Sequence, residues 1–270
     1  MDKLIITVAP IGSIPTKAMT PYVPVTPAEV IQDACDCCNA GASVVHIHAR
    51  DKDQKPSHDY DFFSETVAGI RSRSDLIIQI STGGRASQAQ ETRGRALAIE
   101  GVEMASLNTG SVNFPSSAYV NEPALIDHLA RVMLDRGIKP EIECFDFSFI
   151  SNGLDLLKKG LLKPPLHFNF VMGLKGALPY SLANYVHMMR TIPEGSTWNV
   201  SGIGPAQLPL ALASMISGGH VRVGLEDNIY YSKGVLATNV QMVERIVRLA
   251  REQGREVATP AEARAILQLP

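Results

Sequence analysis

Eight apolar, β-rich segments alternate with helix-like segments at fairly even spacing along this chain of 270 residues. The predicted strands are Leu4–Ala9, Ser43–His48, Asp75–Ser81, Met104–Asn108, Glu141–Asp146, His167–Met172, Thr197–Ser201 and His220–Leu225. Alternating strand–helix units in a chain of this length favour a parallel sheet closed into a TIM (β/α)8 barrel, an α/β fold. A doubly wound open sheet is the alternative. We see no linker or change in composition, so residues 1–270 are predicted to form a single domain.

The helices are predicted from apolar periodicity and from capping signals. Thr26-Pro27-Ala28-Glu29 has the capping-box pattern, and Thr259-Pro260-Ala261-Glu262 repeats it near the end of the chain. The predicted helices run from Thr26 to Ala40 and near Asp59–Arg71, Ala89–Ile99, Pro123–Arg136, Gly153–Gly160, Ser181–Thr191, Pro205–Ser217 and Val235–Gln253, followed by a last short helix from Thr259.

Composition excludes several classes of protein. The net charge of -2 argues against a nucleic-acid-binding surface, which would be strongly basic, and no apolar run approaches the roughly 20 residues that span a bilayer. The first residues read as a strand rather than a signal peptide. Cys35, Cys37 and Cys38 fall on one predicted helix and Cys144 stands apart, which favours reduced thiols over a metal or redox site. These features predict a cytoplasmic protein.

The predicted second strand ends in His46-Ile47-His48. Because side chains alternate along a strand, the two imidazoles point the same way while Val45, Ile47 and Ala49 point the other way. Two neutral imidazoles at this spacing can bind one metal ion, although a pair of core histidines bonded to backbone carbonyls is the alternative.

Polar side chains collect at the carboxyl ends of the other strands, where barrel enzymes place their chemistry. They are Gln79, Ser81, Ser106, Asn108, Glu141, Glu143, His167, Asn169, Asn199, Ser201, Arg222 and Glu226. A barrel built only for packing would place branched apolar residues here. Buried charges are costly unless they are paired, so their convergence indicates a site, with a structural polar layer as the alternative.

Glu226 is the natural third metal ligand. Two imidazoles and one carboxylate would leave a zinc ion with open positions for a substrate. Arg222 is expected to neutralise a substrate carboxylate or to orient Asp227, which follows the ligand directly and is a candidate base. Gly224 is expected to leave space in the cavity.

Two glycine-rich loops give weaker signals. Ser81-Thr82-Gly83-Gly84 offers hydroxyl groups and close backbone approach near the metal. Ser201-Gly202-Ile203-Gly204 precedes a helix and is a candidate phosphate cradle, though such a pattern is common in ordinary turns.

With these residues in place, the chain resembles the β-keto acid cleavage enzymes. The likeness runs nearly end to end and is most specific in Val44–Arg50 and in the segment from Gly218 to Asn228. Members of that family are zinc-dependent TIM barrels and are usually homo-oligomers. On this resemblance we expect this chain to form a tetramer. They react a β-keto acid with acetyl-CoA to give acetoacetate and a new acyl-CoA.

The resemblance implies roles for individual residues. The implied zinc ligands are His46, His48 and Glu226, and the implied base is Asp227, supported by Arg222. Ser81 and Glu143 are assigned to catalysis on the same grounds. Substrate binding is assigned to Ser106, Asn108, Thr82 and Gly83. Ser106 stands where some members have a threonine, and the substitution keeps the hydroxyl group.

One departure bears on the substrate. A family member that acts on 3-keto-5-aminohexanoate uses a glutamate in the first loop to recognise the amino group, and the matching position here is Ile14. Since isoleucine cannot pair with an ammonium, we expect a keto acid with an uncharged or apolar tail. A keto acid whose tail carries a second carboxylate is the alternative, because Lys17 could pair with that group.

Two other functions are compatible with a His-x-His barrel. An amidohydrolase-like metal hydrolase would use His167 and Asp227 as further ligands, but its histidine pair belongs on the first strand. A barrel that only senses a metal or a keto acid would carry an effector module, and the sequence shows none.

Overall fold

The computed structural model describes residues 2–84, 92–115 and 117–269. Its centre is a closed barrel of eight parallel strands, which confirms the TIM-barrel prediction and excludes the open sheet. The strands are β1 (Ile6–Val8), β2 (Val44–Ile47), β3 (Ile77–Ile80), β4 (Met104–Asn108), β5 (Lys139–Cys144), β6 (His167–Met172), β7 (Thr197–Gly202) and β8 (Val221–Val223).

The strands follow one another around the barrel in chain order, and β1 closes it by pairing with both β2 and β8. The register aligns Val8 with Val223 on one side and with Val45 on the other. As a result, the carboxyl ends of β2 and β8 flank that of β1, and residues from opposite ends of the sequence meet there.

The helices surround the barrel. They are α1 (Pro27–Ala40), α2 (Tyr60–Arg71), α3 (Pro123–Arg136), α4 (Phe147–Lys158), α5 (Leu182–Thr191), α6 (Gln207–Ile216), α7 (Asn239–Glu252) and α8 (Pro260–Leu267). The two predicted capping boxes are present: Thr26 accepts from the Glu29 amide at the start of α1, and Thr259 accepts from the Glu262 amide at the start of α8.

Several boundaries differ from the prediction. The helix near Gly153–Gly160 begins earlier, at Phe147, because Asp146 caps it by accepting from the Ser148 amide. The described part of the predicted helix Ala89–Ile99 is a 3₁₀ turn, Arg95–Ala98, and residues 89–91 lie outside the described part of the chain.

In the described ranges, three short antiparallel hairpins lie outside the barrel sheet, and the sequence analysis did not predict them. They pair Ala49–Arg50 with Pro56–Ser57, Val112–Phe114 with Ser117–Tyr119, and Tyr230–Ser232 with Val235–Leu236. The last of these takes up the first two residues of the helix predicted from Val235. That helix starts instead at Asn239, after a capping box between Thr238 and Gln241.

The barrel wall separates an apolar outer layer from a mostly polar interior. Outward-facing strand residues such as Val45, Ile78 and Phe168 are buried against the helices in the main core. At the amino-terminal end of the barrel, the interior is closed by an apolar plug. The plug consists of Ile5, Val44, Ile77, Met104, Ala258, Ala263 and Leu267, the last two from α8. The polar interior therefore faces the carboxyl ends of the strands.

The cysteines and the helices agree with the sequence interpretation. All four cysteines are free thiols, and three of them lie on α1. None of the helices in the described ranges combines the length and the apolar character needed to cross a bilayer.

Candidate active site

His46, His48 and Glu226 converge at the carboxyl ends of β2 and β8, as predicted. One ligand atom from each residue lies within 4.8 Å of the other two, which is the spacing of a metal centre. His48 Nε2 is 3.2 Å from Glu226 Oε1, and His46 Nε2 is 3.9 Å from Glu226 Oε2. The closest approach between His46 and Glu226 is thus too long for a hydrogen bond.

Two buried atoms of this cluster face each other without a partner. Among the described residues, His46 Nε2 and Glu226 Oε2 are both buried and neither has a hydrogen-bond partner. Buried polar atoms are normally satisfied, and a nitrogen and a carboxylate oxygen are ligands that suit zinc. The three residues therefore fit a bound divalent cation.

The imidazole of His46 is held in the form that a metal requires. Its Nδ1 lies 2.6 Å from Gln79 Oε1 on β3. An amide oxygen only accepts, so Nδ1 carries the proton and Nε2 keeps its lone pair toward Glu226. Burial, and then the charge of Arg222, lower the pKa of His46 to about 3, so the ring is neutral.

Arg222 on β8 organises the acids of the site. Its Nε and one terminal nitrogen donate to the two oxygens of Asp227, at 2.9 and 3.1 Å. It also contacts Glu226 Oε1 at 2.6 Å and Glu143 Oε1 at 3.4 Å. The two-point contact with Asp227 favours the orienting role over capture of a substrate carboxylate.

The three acids around Arg222 differ in how readily they release a proton. Burial alone would raise the pKa of Glu226, but Arg222 and then His48 hold it well below its usual range. Burial, and then the charge of Glu226, raise the pKa of Asp227 despite its contact with Arg222. Burial raises the pKa of Glu143 to about 7, with Glu141 and Glu226 adding to the effect and Arg222 opposing it. Asp227 and Glu143 are thus better placed than Glu226 to exchange protons.

A cavity of about 290 Å³ opens directly onto this cluster. It is lined by His48, Ser81, Gly83, Glu143, Arg222, Glu226 and Asp227 of the predicted residues, and by Ser13, Ile14, Gly84, Phe114, Pro115, Ser117, Tyr119, Phe145, Val171, Leu174 and Ile203. The ionisable lining residues form one connected group around Arg222 and His48. The rest of the lining is apolar or carries hydroxyl groups.

The aromatic wall of this cavity was missed by the sequence interpretation. Phe114 stacks on Tyr119 with ring centroids 5.3 Å apart, and Phe145 meets Phe114 edge-on at 5.8 Å. Phe114 and Tyr119 belong to the hairpin after β4, and Phe145 follows β5. The pattern that could have located them is the short run Val112-Asn113-Phe114, whose apolar and polar residues alternate.

The first loop contributes Ile14 to the cavity, as its sequence position suggested. Ile14 is 55% exposed. A side chain at Gly12 would collide with that of Glu226, so this loop passes directly over the metal ligand. Lys17 points elsewhere: its Nζ is 2.8 Å from Glu29 Oε1, and Lys17 is not among the lining residues.

Gly224 does not serve to leave space in the cavity, as was expected from the sequence. Its φ is +144°, and a Cβ there would collide with the backbone of Ala9. The missing side chain therefore lets β8 approach β1 closely just before Glu226, instead of leaving room in the cavity.

Three of the proposed substrate-binding residues lie beneath the cavity rather than on its lining. Thr82 Oγ1 donates to the Ser106 carbonyl at 2.7 Å, and Ser106 Oγ accepts from the Thr82 amide at 3.2 Å. Asn108 donates to Glu143 Oε2 at 2.8 Å. These contacts give them a supporting role, and direct contact with a substrate stays a prediction for them.

A hydrogen-bonded layer fills the barrel below the site. Glu141 accepts from Asn199 at 2.9 Å and lies 3.2 Å from His167 Nε2. Burial alone would raise the pKa of Glu141, but its bond with His167 keeps it at about 2. These residues form a structural polar layer, which the sequence analysis had kept as an alternative to a functional site. His167 is not one of the metal-cluster residues.

Two amides of the loop Ser201-Gly202-Ile203-Gly204 already have backbone partners, and the phosphate cradle considered from the sequence stays a prediction. The Ile203 amide donates to the Met172 carbonyl at 2.9 Å. The Gly204 amide donates to the Asp227 carbonyl at 2.8 Å. This bond fixes the backbone of the residue proposed as base.

Comparison with known proteins identifies the family. Residues 3–269 match a family model described as "beta-keto acid cleavage enzyme". The chain is 45% identical over 271 residues to the 3-oxoadipate:acetyl-CoA acetyltransferase of Cupriavidus necator, covering 98% of this chain and 95% of that protein. It is 43% identical over 272 residues to the 3-keto-5-aminohexanoate cleavage enzyme of Fusobacterium nucleatum, covering 100% of this chain and 99% of that protein.

Among solved structures, the fold is similar to that of ObcA in a ternary complex with a C4-CoA adduct and oxalate. The TM-score is 0.82 at 23% identity, over 94% of this chain and 68% of that one. That likeness supports the barrel fold, while the family match and the two relatives span essentially the whole chain. This chain belongs to the β-keto acid cleavage enzyme family.

Proposed function

We propose that this chain is a zinc-dependent transferase that converts a β-keto acid and acetyl-CoA into acetoacetate and a new acyl-CoA. The observation that carries the proposal is the pair of unpartnered atoms, His46 Nε2 and Glu226 Oε2, which face each other at 3.9 Å beside a cavity that also holds Asp227. The names of the relatives supply acetyl-CoA as the co-substrate.

His46, His48 and Glu226 would hold the zinc ion, consistent with two neutral imidazoles and one carboxylate. A cation there would act as a Lewis acid that polarises the keto oxygen of the substrate. Gln79 keeps His46 in the ligating tautomer, and Arg222 keeps Glu226 ionised.

Asp227 is the proposed base. It removes a proton from the carbon between the ketone and the carboxylate, and Arg222 orients it from its fixed position on β8. The carbanion attacks the thioester carbonyl of acetyl-CoA, forming a carbon–carbon bond and releasing the CoA thiolate. The thiolate then attacks the original ketone carbonyl, and the bond from that carbon to the substrate α-carbon breaks. Acetoacetate leaves after its carbanion regains the proton, and the new acyl-CoA remains.

Ser81 and Glu143 complete the proposed catalytic group. Both line the cavity, and the Ser81 hydroxyl also accepts from the Gly83 amide at 3.1 Å. A hydroxyl can donate to a substrate carboxylate while accepting from the backbone. Glu143, with a pKa of about 7, can take up and release a proton near neutral pH.

The test combines metal analysis with an assay for CoA-dependent acetoacetate formation. We expect His46→Ala and Glu226→Gln to lose bound zinc and turnover together while keeping the folded circular-dichroism spectrum. His128→Ala, an exposed histidine on α3, is the matched control and should keep both. Full turnover by metal-free Glu226→Gln protein would refute the zinc assignment.

We propose further that the keto acid has an uncharged or apolar tail. The two relatives are named for acids whose tails carry an amino group or a second carboxylate. In this chain, Ile14 and the aromatic wall of Phe114, Tyr119 and Phe145 carry no ionised side chain that would form an ion pair with either charge. Lys17, the candidate for a second acid, is paired with Glu29 instead.

A panel of β-keto acids with alkyl, aryl, ammonium and carboxylate tails tests this preference. We expect the highest kcat/KM with alkyl or aryl tails. Ile14→Glu should shift the preference toward the ammonium tail by about tenfold, since one new ion pair in a partly desolvated site contributes about 1–2 kcal/mol. A wild-type preference for 3-keto-5-aminohexanoate would contradict the proposal.

A further inference from the structure

A second, larger cavity of about 810 Å³ lies between α6, α7 and the hairpin Tyr230–Leu236. Its lining includes Gly204, Gln207, Asn228, Tyr230, Lys233 and Arg245. The catalytic roles proposed above do not involve it.

The second cavity shares a wall with the catalytic one. Ile203 and Asp227 line the catalytic cavity, while the residues that follow them, Gly204 and Asn228, line the second. The Gly204 amide donates to the Asp227 carbonyl at 2.8 Å. This hydrogen bond holds together the two chain segments that lie between the cavities. The two cavities are therefore neighbours, separated by these two segments.

The catalytic cavity is too small for a whole CoA molecule, so the nucleotide has to lie outside it. Ligand pockets run from about 300 to 1,000 Å³, and the catalytic cavity, at about 290 Å³, is at the small end. It holds a keto acid and an acetyl thioester, but not the nucleotide of CoA. The second cavity is near the large end of that range.

The chemistry of the second cavity suits a phosphorylated nucleoside. Tyr230 is 47% exposed, and Tyr231 lies under the Arg245 guanidinium with 3.4 Å from Arg245 Cζ to the ring centroid. Lys233 is exposed at the turn of the hairpin. Among the described residues that line the cavity, two are cationic and none carries a carboxylate side chain. Aromatic faces stack on bases, and arginine and lysine bind phosphate.

We infer that this cavity binds the adenosine-phosphate end of CoA, with Tyr230 as a stacking surface and Lys233 and Arg245 as phosphate ligands. The inference rests on the proposed function, since it takes acetyl-CoA to be the co-substrate. The pantetheine arm then runs past the Gly204 and Asn228 boundary, from the second cavity to the open catalytic one, and brings the thioester to Asp227.

The experiment compares acetyl-CoA with S-acetylpantetheine, which lacks the nucleotide. We expect Lys233→Glu and Arg245→Gln each to raise KM for acetyl-CoA about tenfold, the size of one lost charge-assisted contact, and to leave KM for S-acetylpantetheine unchanged. Lys163→Glu makes the same charge change at an exposed site before β6 and should change neither KM. Equal effects on the two thioesters, or no effect of Lys233→Glu, would overturn the inference.

A binding measurement separates this inference from the proposed function. We expect adenosine 3′,5′-bisphosphate to bind the wild-type enzyme in a calorimetric titration and to bind Lys233→Glu about tenfold more weakly. If the wild-type enzyme turned over neither thioester but showed this difference, the function would fail and the nucleotide site would stand. If acetyl-CoA were turned over and the bisphosphate did not bind, the inference would fail alone. An altered oligomeric state of Lys233→Glu with unchanged nucleotide binding would assign the cavity to a second copy of the chain.

Discussion

At the scale of single residues, the contact between Gln79 and His46 should determine how tightly the proposed site binds zinc. Gln79 Oε1 fixes the proton on His46 Nδ1 at 2.6 Å and so aims Nε2 at the metal position. We expect Gln79→Leu to weaken zinc binding by about 10- to 100-fold, the usual effect of losing a partner of a ligating histidine. Competition with a chromophoric chelator measures this.

Gln32→Leu, at an exposed position of α1, is the control for the same change and should keep the wild-type zinc affinity. Gln79→Glu restores an acceptor at the same place and should recover most of the binding. Wild-type affinity in Gln79→Leu would show that His46 is oriented by its packing alone.

Asp227→Asn separates the base from the metal centre. The variant keeps an oxygen for Arg222 but cannot take a proton, so we expect zinc binding to persist and kcat to fall by about 10²- to 10⁴-fold. Metal content and steady-state kinetics on the same preparation give both values. Near-normal turnover would remove Asp227 from the role of base.

At the scale of elements, the contact between α1 and α7 makes stability depend on pH. Asp33 on α1 accepts from Asn239 Nδ2 on α7. Burial, and then the charge of Asp36, raise the pKa of Asp33 to about 6 from its ordinary 3.8, although the Asn239 bond opposes this. The unfolded chain therefore releases this proton at lower pH than the folded protein. The stability contributed by protonated Asp33 is complete below about pH 4 and is lost as the pH rises through about 6.

We expect Asp33→Asn to remove this loss, because the amide can still accept from Asn239 and carries no charge. At pH 8 the variant should be more stable than the wild type by about 1–2 kcal/mol, and the difference should shrink toward pH 5. Urea unfolding at pH 5, 6.5 and 8 measures it. Asp135→Asn at an exposed site on α3 serves as control; a wild-type pH profile in Asp33→Asn would contradict the assignment to Asp33.

The barrel strands and most helices could be predicted because their apolar periodicity and caps are local signals. Thr26 and Glu29 are an example, because the two residues from which the start of α1 was predicted form the capping-box hydrogen bonds there. The hairpins could not be predicted with the same ease because each has only two or three residues per strand. At Val235 the apolar residues fit a helix as well as a strand, and only the capping pair Thr238 and Gln241 marks the true start.

For the site, the sequence placed His46, His48 and Glu226 together because barrel topology brings strand ends to one face. It could not show that Arg222 contacts three acids, or that Thr82 and Ser106 bond to each other below the cavity, since these depend on side-chain direction within the barrel. Phe114 and Tyr119 escaped notice because their hairpin strands are only three residues long, so the alternation in Val112-Asn113-Phe114 is a weak signal.

At the scale of the whole molecule, α8 seals the barrel at the end opposite the site. Leu267 is 1% exposed and packs with Ile5, Val44, Ile77 and Met104. We expect Leu267→Ala to lower the free energy of unfolding by about 2–5 kcal/mol, the usual cost of truncating a buried leucine. Denaturant unfolding measures this.

The same substitution at Leu182, which is 61% exposed on α5, should cost less than about 0.5 kcal/mol. Because α8 packs against the amino-terminal end of the barrel, opposite the catalytic cavity, kcat of folded Leu267→Ala should stay near the wild-type value. A stability loss as small as that of Leu182→Ala would mean that α8 is not part of the barrel core. The homo-oligomer and the cytoplasmic location expected from the sequence stay predictions.

The metal cluster joins β2 to β8 across β1, so its ligands come from the first and last quarters of the chain. During synthesis, the two histidines are therefore made early. The set of three ligands is complete only after β8 has left the ribosome and paired with β1. A cation bound as proposed would bind only the closed form, so its binding free energy would add to the stability of that form. If the site holds zinc as proposed, the zinc-depleted protein should therefore open and be degraded more easily.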